Sequence, residues 1–334
     1  MHVLIVDADH DITQMEIHLL AQARPEWKVT LLPVDTEREE LRRAIQDSDL
    51  LITEFINLDD FILKDPGKLQ AVSVNAVGFE TVDLDAAAAA GISVFALRDY
   101  CTDEVAEHTI ALMMALERKL PWYDRTLADS NQWKFESHPR PRRVAGQTLG
   151  VIGFGKIGQG VARRALGLGM HVLVHSNHGL HRASLPENEW MRYLSFVSAE
   201  EIFEHADVIS NHMAQTAENV HFFDEAAFSA MKRQPVFINT GRGAAVDTQA
   251  LMRALQSGRI YGAGLDVLEH KEEAQEILKA AGDLNLIVTP HSAFYSETSC
   301  TRLAEDTCWN LINCTKNEPS KITRVLVWKG QRWV

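Results

Sequence analysis

Residues 149–158 read Leu149-Gly150-Val151-Ile152-Gly153-Phe154-Gly155-Lys156-Ile157-Gly158. They form an apolar strand that runs into a G-x-G-x-x-G turn and then into an amphipathic helix predicted over 157–168. In such a turn the first glycine permits a tight reversal, the second lets backbone approach a pyrophosphate, and the third lets the helix pack on the strand. The amides that open the helix are left to face the phosphates. Glycine-rich turns are common, so the setting matters: a strand before, a helix after and a second strand predicted at 171–175 supply the context that a dinucleotide site needs. Gly153, Phe154, Gly155, Lys156, Ile157 and Gly158 are therefore expected to bind the cofactor.

The end of that second strand decides which dinucleotide fits, because an acidic residue there holds a ribose 2′-OH and repels a 2′-phosphate. The sequence has Val174-His175-Ser176-Asn177-His178. No carboxylate is present, and Ser176, Asn177 and His178, with Arg182, offer donors to a phosphate. The expectation is NADP or NAD, with NADP preferred; the alternative is that Ser176 and Asn177 only make a turn. His175, His178 and His181 recur every three residues, but no helix aligns them and no carboxylates complete a shell, so no metal is expected.

Outward from this turn, short β-branched runs alternate with helical patterns almost from end to end, which marks an α/β fold with parallel sheets. Strands are predicted at 2–6, 27–33, 50–53, 71–74 and 92–96, with helices at 12–23, 37–46 and 85–90. A longer helix is predicted over 103–119, N-capped by Thr102 and ended before Pro121. Residues 133–143 read as an irregular surface excursion. The βα rhythm resumes from 148 to 289, so one α/β domain is inserted into another, and a helix including 301–311 returns to the first.

The 46 Asp+Glu against 33 Lys+Arg give a formal net charge of −13 over 334 residues. Such a chain repels phosphate backbones and anionic lipid, so neither nucleic acid nor membrane is expected as a direct partner. Its apolar stretches fall short of the roughly 20 residues that cross a bilayer, and its start has no signal-like pattern. A cytoplasmic location is expected. Cys101, Cys300, Cys308 and Cys314 lack CxxC spacing and are read as reduced thiols.

Three further segments place polar groups at the ends of apolar strands, where open α/β sheets bind ligands. They are Val236-Phe237-Ile238-Asn239-Thr240-Gly241-Arg242-Gly243, Ala263-Gly264-Leu265-Asp266-Val267-Leu268-Glu269 and Leu286-Ile287-Val288-Thr289-Pro290-His291-Ser292-Ala293. A guanidinium between glycines can grip a substrate carboxylate in bidentate fashion and polarise the adjacent carbonyl. An imidazole can exchange the hydroxyl proton as hydride moves. Asp266 is read as an acceptor for the nicotinamide carboxamide, and Thr240, Gly241, Arg242 and His291 are counted with it among cofactor-binding residues. The bland alternatives are that Arg242 braces a loop, His291 caps a strand and Asp266 starts a turn. Phe55, Phe294 and Tyr295 either line an apolar pocket or pack between domains.

In combination these motifs resemble the D-isomer-specific 2-hydroxyacid dehydrogenase family across nearly the whole chain. Asn75-Ala76-Val77-Gly78 through Asp83 and Thr102 through Thr109 add to the match, and the 290–297 segment is similar to the branch of the C-terminal-binding proteins, corepressors that retain a dehydrogenase fold. The resemblance implies two doubly wound parallel-sheet domains: a flavodoxin-like substrate domain over 1–99 plus 293–334, and an inserted Rossmann NAD(P)-binding domain over 100–292. It implies a homodimer acting on a small-molecule 2-oxo or 2-hydroxy acid. Arg242 is then the substrate clamp, His291 the acid/base, and amides near Ala76, Val77 and Gly78 help hold the substrate carboxylate.

One position departs from the family pattern. The acid that orients the histidine is expected five residues after Asp266, where this chain has Lys271. A lysine there favours neutral imidazole, the reverse of what a carboxylate does. Either Glu269 or Glu272 reaches the imidazole, Glu269 being preferred as nearer the strand end, or the orienting acid is lost. The second outcome keeps open a different reading, a cofactor-sensing, corepressor-like interaction protein with weak or no dehydrogenase activity.

Overall fold

The structure is a computed structural model that describes residues 1–7, 11–130, 133–136, 139–176, 189–282 and 284–333. The chain divides into two compact units, Met1–Tyr100 with Ser296–Val334, and Cys101–Tyr295.

The first unit opens with β1 (His2–Val6), β2 (Lys28–Leu32), β3 (Leu50–Thr53), β4 (Ala71–Val74) and β5 (Ser93–Ala96). The last three are buried along their whole length, as strands covered on both faces must be. The second unit contributes β6 (Thr148–Ile152), β7 (His171–His175), β8 (Leu194–Phe196), β9 (Val208–Asn211), β10 (Val236–Asn239), β11 (Gly262–Leu265) and β12 (Leu286–Val288). The chain then returns to the first unit with the helix Glu297–Thr315 and the edge strands β13 (Arg324–Trp328) and β14 (Gln331–Arg332).

The first sheet runs β14-β13-β5-β4-β3-β1-β2, and the second β12-β11-β10-β9-β6-β7-β8. Strand order reverses between β1 and β3 in one and between β6 and β9 in the other. In doubly wound sheets these are the points where a crevice opens at the carboxyl ends. The α/β expectation is met, with one addition that the sequence reading lacked: β13 pairs antiparallel with β5 and β14 with β13.

Two helical details differ from the reading. Cys101, not Thr102, is the N-cap of the helix Thr102–Glu117, and no side chain bonds its first amides. A second helix, Leu120–Ser130, follows and carries Pro121 in its first turn, where a missing N–H costs nothing. The residues described between 133 and 144 contain no regular element. The helix Thr102–Glu117 packs Leu112 and Leu116 with Val236 and Ile238 of β10 in the second unit's core. That contact delivers His108 and Thr109 toward the carboxyl ends of its strands.

Candidate active site

The phosphate turn follows β6. Gly153 has φ 93°, and a Cβ there would lie 2.6 Å from the His212 carbonyl, so only glycine fits the approach to the loop after β9. A Cβ on Gly158 would meet the Gly153 oxygen, whereas one on Gly155 would find nothing within 4 Å. The middle glycine therefore faces open space while the outer two are packed. Gly155 caps the helix Lys156–Gly167 without a side-chain hydrogen bond. The positive end of the helix dipole faces this turn, the end that favours an anion.

His212, beside Gly153, was not singled out in the sequence. Its Nε2 meets the Ser210 hydroxyl at 2.8 Å, and its Nδ1 is buried without a partner among the described residues. Burial pushes this imidazole down to about 3, so it is neutral and carries one unused nitrogen. The open ground at Gly155, the helix N-terminus beside it and this orphaned nitrogen together fit a dinucleotide. At the ribose end, β7 finishes at His175, whose ring stacks with Phe222 at 6.5 Å, and Ser176 is half-buried. Asn177, His178, His181 and Arg182 lie outside the described residues.

Arg242 stands on a turn built by Asn239 at the end of β10. The buried Asn239 amide donates to the Arg242 carbonyl at 3.0 Å, and its Oδ1 accepts from the Gly241 amide at 3.1 Å and from Asn211 at 3.0 Å. Gly243 presses against the next loop so closely that a Cβ would overlap the Leu268 carbonyl. Thr240 is buried and its hydroxyl bonds Thr109 at 2.9 Å. Asn239 is the second residue that sequence reading left out of the site; its place in the 236–243 segment was the available signal.

Asp266, at the end of β11, is buried and ties down the segment that carries His291. Its Oδ1 accepts the Thr289 hydroxyl at 2.6 Å and the Ser292 amide at 2.9 Å, and its Oδ2 accepts the Ala293 amide at 3.0 Å. His108 reaches Thr289 Oγ1 at 3.0 Å and comes within 3.7 Å of Asp266 Oδ1. The carboxylate expected to serve the nicotinamide thus has three protein donors, and with about four lone-pair sites one remains for a ligand. His291 itself has φ 53°, rare for a side chain of its size.

The His291 imidazole is held below its ordinary pKa, chiefly by burial; Arg242 and Lys271 push it the same way, and Asp266 opposes them. Arg242, Asp266 and Lys271 thus each act on the His291 imidazole. Glu269, expected beside His291, is bonded to a different imidazole. Its Oε1 meets His221 Nε2 at 2.5 Å, and that pairing raises His221 instead. Gly243 lies directly against the backbone of Leu268 and Glu269. Lys271 opens a short 3-10 turn, Lys271–Glu273, and is exposed.

In the first unit, Asn75 follows β4, and the amides of Ala76, Val77 and Gly78 have no acceptor among the described residues. The Ala76 and Val77 carbonyls are used, by the Leu97 amide at 2.9 Å and by Arg324 at 3.3 Å, which fixes the turn with its amides unspent.

Comparison with known proteins follows the same lines. The family profile described as "D-isomer specific 2-hydroxyacid dehydrogenase, NAD binding domain" matches residues 110–293. A protein named glyoxylate reductase from Thermococcus litoralis is 33% identical over 299 residues, 87% of each chain. A glycerate dehydrogenase from Methylorubrum extorquens is 32% identical over 85% of this chain and 88% of its own. Among solved structures, D-lactate dehydrogenase from Aquifex aeolicus, complexed with NAD and lactic acid, superposes with TM-score 0.84 and 28% identity. That match covers 97% of this chain and 99% of that one.

Proposed function

Because the chain belongs to the D-isomer specific 2-hydroxyacid dehydrogenase family, we propose that Arg242 is its substrate clamp and His291 its acid/base. The chain is an NAD(P)-dependent oxidoreductase that moves a hydride between nicotinamide and C2 of a 2-oxo or 2-hydroxy acid. The observation that carries the assignment of roles is that Arg242, Asp266 and His291 follow the carboxyl ends of three neighbouring parallel strands, β10, β11 and β12.

The dinucleotide, when bound, supplies or accepts the hydride. Gly153 to Gly158 receive its phosphates, and Asp266 keeps one acceptor site for its carboxamide. Arg242 grips the substrate carboxylate and draws charge from the carbonyl at C2; the amides of Ala76, Val77 and Gly78 are the first unit's own donors for a carboxylate. In reduction His291 gives its proton to the carbonyl oxygen; in oxidation it takes the proton from the hydroxyl. Its lowered pKa leaves it neutral at pH 7, ready as a base, so reduction slows as pH rises.

NADP is the preferred cofactor in this reading, since neither His175 nor Ser176 repels a 2′-phosphate. A homodimer is supported by apolar exposure: Trp133 is 93% and Phe135 82% exposed, with Leu127 and Leu120 also open. No described helix is long and apolar enough to cross a membrane, and the proposed location is cytoplasmic. The interaction-protein reading rests on Lys271 alone, and the relatives reported above carry enzyme names.

The test is oxidation of NADH and NADPH with glyoxylate, pyruvate, hydroxypyruvate and phenylpyruvate, for wild type, Arg242→Ala and His291→Ala. Turnover by wild type that both variants lose supports the assignment. Wild-type activity retained by either variant removes that residue from its role.

A further inference from the structure

Within the first unit, Glu16 lies on the helix Asp11–Ala23 and is fully buried. Its Oε1 accepts from Asn75 Nδ2 at 2.6 Å, and its Oε2 has no partner among the described residues. Asn75 is 3% exposed, and the Oδ1 of the same carboxamide is also buried and unpartnered. A carboxyl and a carboxamide thus share one hydrogen bond, while the second atom of each is an oxygen without a donor.

With the carboxyl ionised, both leftover oxygens are acceptors cut off from water, a pairing that native interiors avoid. One proton on Oε2 removes both deficits, since a carboxylic acid has an O–H to give and Oδ1 can accept it. The surroundings favour that proton. No cation pairs with Glu16 among the described residues. Cys308, on the helix Glu297–Thr315, turns its thiol to the Glu16 carbonyl at 3.7 Å, and the group after β3 that feels the charge of Glu16 is another acid, Glu54. Burial raises the Glu16 carboxyl to about 7, although the bond from Asn75 lowers it.

The partner of this acid roots a functional turn. The Asn75 backbone amide donates to the Thr53 carbonyl at 2.8 Å, the next three residues carry the unspent amides, and the Ala76 carbonyl accepts the Leu97 amide at 2.9 Å. The Asn75 side chain is what ties the start of this turn to the helix Asp11–Ala23. Donors aimed at a carboxylate work only when their direction is fixed beforehand.

Resting on the reading of that turn as a carboxylate donor, we propose that Glu16 stands as a neutral carboxylic acid, closed with Asn75 into a cyclic pair of two hydrogen bonds, and that it is a positioning residue for the amides of Ala76, Val77 and Gly78. It touches no substrate. Loss of its proton removes the bond from Oε2 to Oδ1, leaves two acceptors facing each other and loosens the turn.

The experiment measures KM and kcat between pH 6 and 9 for wild type, Glu16→Gln and Glu16→Ala, with the most active of the four 2-oxo acids above. Glutamine can form the same two bonds and does not titrate, so it rescues the pair: its KM stays within about twofold of wild type at pH 6. The ratio of wild-type to Glu16→Gln KM then climbs about fivefold by pH 9, the worth of one hydrogen bond. Titration of His291 cancels in this ratio because both proteins carry it. Alanine raises KM about tenfold at pH 6 and changes kcat less. A ratio that does not move with pH, or a glutamine variant as impaired as alanine at pH 6, overturns the proposal and leaves the dehydrogenase reading intact. If wild type reduces none of the acids, the dehydrogenase reading is what fails, and the infrared difference between wild type and Glu16→Gln decides the pair. A protonated-carboxyl band present at pH 6 and lost by pH 9 supports it, and absence of the band at pH 6 ends it. Should Glu16→Ala not fold, the comparison of wild type with Glu16→Gln carries the test by itself.

Discussion

Asp266 holds His291 from two sides. Its carbonyl accepts the His291 amide at 2.8 Å, and its carboxylate takes the amides of the next two residues, Ser292 and Ala293. A histidine in left-handed backbone costs of order 1–3 kcal/mol, and these bonds are what keep it there. The same carboxylate is the charge that favours protonation of the imidazole against Arg242 and Lys271.

Asp266→Asn keeps the shape and removes the charge. His291 should become less basic, so the His-dependent limb of the kcat/KM profile moves to lower pH and kcat falls by about 10–100-fold. A profile that stays in place would mean that Asp266 acts on loop geometry alone. Asp266→Ala also strands buried donors and is expected to cost about 2–4 kcal/mol in denaturant unfolding.

Lys271→Glu reverses a charge that lowers His291. The imidazole pKa rises, more of it is protonated at pH 7.5, and glyoxylate reduction is expected to speed up by about 2–10-fold. The matching change is an upward shift of the pH profile. Equal rates and profiles for the two proteins would show that protonation of His291 is set elsewhere.

Arg242→Lys tests the planar fork against a point charge. A lysine retains the positive charge and loses the bidentate grip, so kcat/KM should drop by about 10²–10³-fold with NADH affinity little changed. Fluorescence titration of NADH separates the two quantities. A lysine variant close to wild type would move substrate recognition away from this residue.

Gly155→Val and Gly158→Val should fail in different ways. A side chain at 155 enters open ground, so the fold survives while dinucleotide affinity falls by about 10²-fold or more. One at 158 collides with the Gly153 carbonyl, and the thermal midpoint should fall by several degrees, as about 1–3 kcal/mol of overpacking requires. Equal midpoints for the two variants would contradict the packing described.

Glu16 and Glu54 make stability fall as pH rises. Both carboxyls are raised in the folded chain, to about 7 and about 8 from 4.5, so the fold binds more protons than the unfolded chain in this window. Their contribution is complete below pH 4.5 and is lost as pH climbs through about 8. Glu16→Gln is expected to flatten the decline of the melting temperature between pH 5 and 8. A variant as pH-sensitive as wild type would refute the buried-acid account for Glu16.

The strands β6, β10 and β11 were readable because each is a short apolar run followed or closed by glycine, asparagine or aspartate, and the glycines of the turn differ as their motif positions suggest, packed at Gly158 and open at Gly155. Glu269 shows where such reading stops. Nearness along the chain to Asp266 suggested that it orients His291, but its carboxylate bonds His221, 48 residues away in the chain. The cap at Cys101 and the antiparallel strands β13 and β14 were missed for a related reason: local preference favours Thr102, and a strand's partner is set by the whole sheet.

By itself the sequence determined the alternation of strand and helix, the glycine turn after β6 and the presence of a guanidinium, a carboxylate and an imidazole at strand ends. Those follow from periodicity and residue chemistry, which are local. Only the tertiary structure decided that Asp266 ties down the segment carrying His291 while Glu269 bonds His221, that Asn239 braces Arg242, and that Glu16 is buried against Asn75. Each joins residues far apart in the chain, so each depends on which strands become neighbours.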